Sequence, residues 1–103
     1  MITVDLSRPI EWEGETFKRL AFDIGSLTGR DLQAILRHLR KTGVRDVAMP
    51  ETDERYLMAV AAKAGNVDVE MLEALPARDY TAVKMETQGF LLGSDSGPTP
   101  SES

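Results

Sequence analysis

Cysteine is missing altogether from this 103-residue chain. Its absence excludes disulfides and thiolate metal sites and fits a reducing compartment. A single histidine, His38, rules out a histidine-based metal cluster. It falls on the polar side of a helical pattern, where a solvated ring is the ordinary outcome. No apolar stretch approaches the roughly 18 residues of a membrane span. The N-terminal "MITVDLSRP" has neither the basic start nor the apolar run of a signal peptide. What is present, 42% apolar and 28% charged residues, is the composition of a globular domain. The expectation is a cytoplasmic protein with no membrane segment and no cofactor.

Charge is uneven along the chain. Residues 1–45 carry 8 Lys/Arg against 6 Asp/Glu, whereas 46–103 carry 4 against 11, for a net charge of −5. An acidic protein lacks the overall electrostatic footprint of a nucleic-acid binder, although a local basic stripe could still serve as one.

The first quarter reads as β. Ile2, Val4 and Leu6 alternate with polar residues, and "IEWEGETF" predicts a hairpin turning at Glu13-Gly14. That turn sets Trp12 opposite Glu15 and Ile10 opposite Phe17. One extra residue near Ser7-Arg8-Pro9 would then pair Leu6 with Leu20, Val4 with Phe22 and Ile2 with Ile24, all apolar. Proline has no N–H for a ladder, so a bulge suits Pro9. Residues 2–24 are therefore expected to form one bulged ribbon, which needs helices to pack on.

From Leu27 the period changes. Leu32, Ile35, Leu36 and Leu39 mark one face of a helix that stops at Gly43. After a loop, "VRDVAMPETD", a cap at Thr52 or Asp53 opens a second helix on Leu57, Val60, Ala61 and Ala64, with Gly65 past its end. Asp68 caps a short third helix with Met71, Leu72 and Leu75 inward, ended by Pro76. A fourth runs from about Arg78 to Leu91, with Tyr80, Val83, Thr87 and Leu91 along one side. The final "GSDSGPTPSES" has no hydrophobic residue and reads as a disordered tail. The fold class expected is α+β, an N-terminal two-stranded antiparallel ribbon packed on three to four helices. It forms a single domain over residues 1–92, with the tail at 93–103.

The stretch "LTGRDL" (Leu27–Leu32) could be a phosphate loop or a helix start. It has one glycine and no GK[ST], so it lacks the backbone cradle phosphate needs. As a start it is complete. Thr28 is the N-cap, Asp31 stands at N3 in a capping box, and Leu27 and Leu32 form a hydrophobic staple. Asp31 also places negative charge where the helix dipole favours it and where it repels anions.

Catalysis finds no support, since no carboxylate pair and no nucleophile with a positioned base stands out by spacing. A binding surface has two candidates. Arg30, Gln33, Arg37 and Arg40 form a polar stripe opposite the leucines, with Lys41 and Arg45 beyond. The stripe is a solvated face, or a docking strip for an acidic partner or nucleic acid. A helix-turn-helix would make "DERYLMAVAAKAG" the recognition helix, whose acids phosphates would avoid. Phe90, Leu91 and Leu92 are the second candidate, because three consecutive apolar residues cannot all face one side of a helix. The ribbon covers some of them, or they form an exposed contact patch. Met58, Met71 and Met85 either fill the core or add an adaptable surface.

Taken in order, "V-x-L-S-R-P-I" (Val4–Ile10), the hairpin glycine, "LTGRDL", "MLEALPARDYTAV" (Met71–Val83) and "QGFL" (Gln88–Leu91) resemble the tail assembly chaperones of Mu-like and P2-like contractile-tailed phages. The similarity spans about residues 2–92. The middle loop, Thr42 to Thr52, and the tail carry no family pattern. The resemblance implies a non-enzymatic protein of the host bacterial cytoplasm, acting in tail morphogenesis. Its partner would be the long, helical, aggregation-prone tape measure protein, with the tail tube protein as a further partner. It also implies a longer product made by ribosomal frameshifting, for which Gly89-Phe90-Leu91 can be encoded as a slippery GGT-TTT-TTG. The resemblance carries over no binding residues. Those expected on physical grounds are Phe90, Leu91 and Leu92 for apolar contact and Arg37 and Arg40 for charge. Self-association through a ribbon edge is also open. The alternative is a small nucleic-acid-binding regulator using the Arg30–Arg45 stripe.

Overall fold

The computed structural model describes residues 1–43, 50 and 53–93. Most of the expected loop before Asp53, including Arg45 and Thr52, and the tail from 94 onward lie outside the described residues. Strands β1 (Ile2–Trp12) and β2 (Glu15–Phe22) are followed by a 3-10 turn (Ile24–Ser26). Four helices follow among the described residues: α1 (Gly29–Lys41), α2 (Glu54–Gly65), α3 (Val69–Glu73) and α4 (Ala77–Leu91). This is the expected α+β arrangement, a ribbon laid on helices.

The hairpin turns where glycine predicts it. Glu13 and Gly14 both have positive φ (50° and 82°), the pattern whose twist matches the flanking strands. Near the turn Ile10 faces Phe17 and Trp12 faces Glu15, as the sequence suggests. Beyond it the expected register is wrong. Val4 faces Leu20 and Ile2 faces Phe22, and the residues Leu6 to Pro9 stand opposite Lys18 alone. The strand thus bows out by three residues instead of one, and Ile24 sits buried in the 3-10 turn instead of pairing with Ile2.

The larger excursion has a cause on another element. The backbone N–H of Ser7 leaves the ladder and donates to both oxygens of Asp79 on α4, at 3.1 Å each. Ser7 Oγ adds a third bond to Oδ2 at 2.9 Å. Pro9 has no N–H and so needs no acceptor in the bow.

Helix α2 is the centre of the core. Tyr56, Leu57, Met58, Val60, Ala61 and Ala62 are all buried, so the helix is covered around much of its circumference instead of on the single expected face. Helices α1, α3 and α4 and strand β2 all pack against it. Its end also differs from the expectation. Asn66, not Gly65, takes the left-handed conformation (φ 55°, ψ 46°). Gly65 stays inside the helix because the buried Phe22 ring lies against it; a Cβ there would come within 2.8 Å of Phe22 Cδ1. The Asp23 N–H donates to the Ala64 carbonyl beside this contact, at 3.2 Å.

Asp53 caps α2 by accepting the Arg55 N–H at 2.9 Å. Asp68 stands at the α3 N-cap without a side-chain bond, while Met71, Leu72 and Leu75 face inward as expected. On α4, Val83 and Thr87 are buried, with Tyr80 and Leu91 half-buried on the same side. Helix α1 is held less deeply. Ile35 is its buried residue, whereas Leu32, Leu36 and Leu39 are half-buried.

Candidate functional site

Helix α1 begins as its sequence dictates. Thr28 Oγ1 accepts the Asp31 N–H at 3.3 Å, and Asp31 Oδ2 accepts the Thr28 N–H at 2.8 Å. The Thr28 N–H holds the Asp31 carboxyl below its usual 3.8, so the site carries negative charge and offers nothing to an anion.

This cap has a second consequence. The staple residues Leu27 and Leu32, with Ile24 and Gly25 of the 3-10 turn, form one wall of a groove of about 280 Å³. Phe90 and Leu91, from the last turn of α4, form the other. A Cβ on Gly25 would stand 3.5 Å from Phe90 Cζ, so the two walls approach closely at that point. Leu92 follows as the helix ends and is 55% exposed. The three consecutive apolar residues are therefore divided. Phe90 and Leu91 line a groove and Leu92 projects beside it.

Arg37 and Arg40 are exposed on α1, and neither lines this groove. The structure does not bring the two sets of expected contact residues into one pocket. Met58 and Met71 are core residues, and Met85 is 60% exposed. His38 is exposed, as expected, and lies at the edge of a different depression.

That depression, about 420 Å³, lies between α1 and helices α2 to α4. Leu39, Met58, Ala59 and Val69 contribute its apolar lining, and Glu54, Glu70 and Glu73 outweigh Arg55 in its charge, Arg55 itself being paired with Asp53 at 2.8 Å. Tyr80 donates its hydroxyl to Glu54 Oε2 at 2.8 Å. Burial, that hydrogen bond and the charges of Glu54 and Glu73 push its pKa up to about 12. Lys84 approaches the other Glu54 oxygen at 3.5 Å.

Two features escaped the sequence reading. Asp79, 3% exposed, is the anchor of the β1 bow, yet in sequence it is one more acid in an acidic half. The Tyr80–Glu54 bond ties α4 to the start of α2. Tyr80 could be placed on the inner face by period, but its partner could not.

The helix a helix-turn-helix would need for recognition, α2, is the most buried of the four, so it cannot enter a DNA groove. Among the described residues no group of three or more His, Asp or Glu is placed to hold a metal ion. Among them, too, no helix is long and apolar enough to cross a membrane. No curated protein and no solved structure matches the chain. A family model does match, over residues 3–92; it describes phage tail assembly chaperone proteins, E, or 41 or 14.

Proposed function

The chain belongs to the phage tail assembly chaperone family, and on that premise we propose that it binds the tape measure protein and keeps it soluble while the tail is built. A binding role without catalysis is consistent with such a family. The observation that carries the reading is the groove between the α1 cap and the end of α4, with Leu92 exposed at its edge. An amphipathic helix docks by laying an apolar stripe into such a groove. Phe90 and Leu91 would line its seat and Leu92 would extend it. Arg37 and Arg40 would meet acidic residues flanking the client's apolar stripe. Contacts of this size are individually weak, which suits a partner that must later be released to the tail tube. The host cytoplasm is where such assembly takes place.

Co-expression tests this. The tape measure protein of the same phage or prophage is produced with and without this chain, and its soluble fraction is measured. Solubility that rises with the chain supports the reading, and equal solubility without it overturns the reading. A Leu92→Asp chain probes the apolar contact apart from the fold, because Leu92 is 55% exposed and circular dichroism checks that the variant is folded. If Leu92→Asp protects the client as well as the parent does, Leu92 is not part of the client's seat. Binding that survives raised salt distinguishes apolar docking from the nucleic-acid alternative, whose phosphate contacts weaken steeply with salt.

A further inference from the structure

Among the described residues, the cleft beside α1, where Glu54, Glu70 and Glu73 outweigh Arg55, and the basic strip on α1 are complementary surfaces that do not meet. Among the described residues, no hydrogen bond or ion pair engages the side chains of Arg30, Arg37, Arg40 or Lys41. The same is true of Glu70 and Glu73 on α3. At about 100° per residue, Arg37 and Lys41 share a face of α1 next to His38 and Thr42, two residues that line the cleft. The strip therefore lies just over the rim from the cleft, on a helix whose apolar face is only half covered.

We propose that two copies of this chain associate about a two-fold axis, with the Arg37–Arg40–Lys41 strip of each copy set against Glu70 and Glu73 at the acidic cleft of the other. Charge complementarity selects this occupant, because both surfaces belong to every copy. A two-fold arrangement uses each surface once and closes, so the pairing does not run on into a fibre. The cleft floor of Leu39, Ala59 and Val69 then accommodates the aliphatic stems of the arriving basic side chains. The pair forms in the absence of client. Acidic residues on a client would compete for the same arginines, so dimer and client complex would exclude one another.

The test uses the full chain alone and is independent of any client. Its mass is measured by sedimentation equilibrium at low salt and at about 1 M salt, where the screening length falls to about 3 Å. Expected is a dimer at low salt that weakens at least tenfold at high salt. The charge-reversed chains Arg37→Glu/Arg40→Glu and Glu70→Lys/Glu73→Lys should each be monomeric, and an equimolar mixture should restore a dimer. All four side chains are exposed, and circular dichroism checks that each variant is folded. A parent chain that stays monomeric at low salt overturns the proposal. So does a dimer that survives both reversals, since that points to a ribbon-edge or groove contact. Failure of the mixture to pair also overturns it.

Discussion

Ser7 and Asp79 stand 72 residues apart in sequence and are joined by three hydrogen bonds, two from the Ser7 backbone N–H and one from its hydroxyl. The buried carboxylate thereby replaces the ladder partner that β1 gives up where it bows. Asp79→Ala leaves the Ser7 N–H without its acceptor and should destabilise the domain by about 2 to 3 kcal/mol. Ser7→Ala removes only the hydroxyl bond and should cost about 1 kcal/mol. Urea unfolding measures both, and equal losses would show that the backbone bond is not the anchor.

Gly65 offers a test of the Phe22 contact. In an exposed helix interior, Gly→Ala stabilises by about 1 kcal/mol. Here the new Cβ would meet Phe22 Cδ1 at 2.8 Å and the Ala21 carbonyl oxygen at 3.2 Å. Phe22 is 1% exposed and has no room to retreat. Gly65→Ala should therefore lower the melting temperature, and a rise would show that β2 does not lie so close to α2.

Stability should decline at both ends of the pH range. The Thr28 N–H lowers the carboxyl pKa of Asp31 from 3.8, and the Arg55 side chain does the same for Asp53. Carboxyls lowered on folding stabilise the native state above their ordinary value, and this is lost as pH falls through the lowered ones. Asp31→Asn and Asp53→Asn chains should lose less stability on acidification than the parent. Tyr80 behaves in the opposite sense. Its pKa is raised from 10.0 to about 12, so its contribution is full below pH 10.0 and is lost as pH rises toward 12. Tyr80→Phe should flatten that alkaline decline, as followed by circular dichroism against pH.

Trp12 carries a buried indole N–H with no partner among the described residues. A lone buried donor opposes folding, so Trp12→Phe should change stability by less than about 1 kcal/mol despite the lost ring area. Trp12→Ala removes the packing as well and should cost on the order of 2 kcal/mol. Far-ultraviolet circular dichroism follows both unfolding curves, since the only tryptophan is gone. A large loss in Trp12→Phe would mean that the indole nitrogen is bonded in solution.

How far sequence reaches is clearest in the ribbon. Alternation from Ile2 to Leu6 correctly puts Val4, Leu20 and Phe22 on the helix side. Yet bulges of one and three residues differ by one full period of the pleat, so alternation cannot choose between them. The choice rests with Asp79, a long-range partner that no local pattern contains. Local chemistry fared better. The Thr28–Asp31 box and the Glu13-Gly14 turn are each written within a few residues, and both are present. The site lies between these cases. Phe90, Leu91 and Leu92 stand out in sequence as a run no helix face can hide. Their separation into two groove residues and one projecting residue depends on Leu27 and Leu32, far earlier in the chain. Gly65 reads as a helix stop because sequence shows the absence of a side chain but not the Phe22 ring that requires it.

The groove draws one wall from residues 24–32 and the other from Phe90 and Leu91. Synthesis runs from the N-terminus, so the first wall leaves the ribosome long before the second exists. The β1 bow likewise waits for Asp79 before it can be tied. A nascent chain thus has no finished groove until the chain as far as Leu91 has emerged. Contacts that span so much sequence form late in folding. On the proposed reading, half-made copies would therefore hold no client that a finished copy is meant to release.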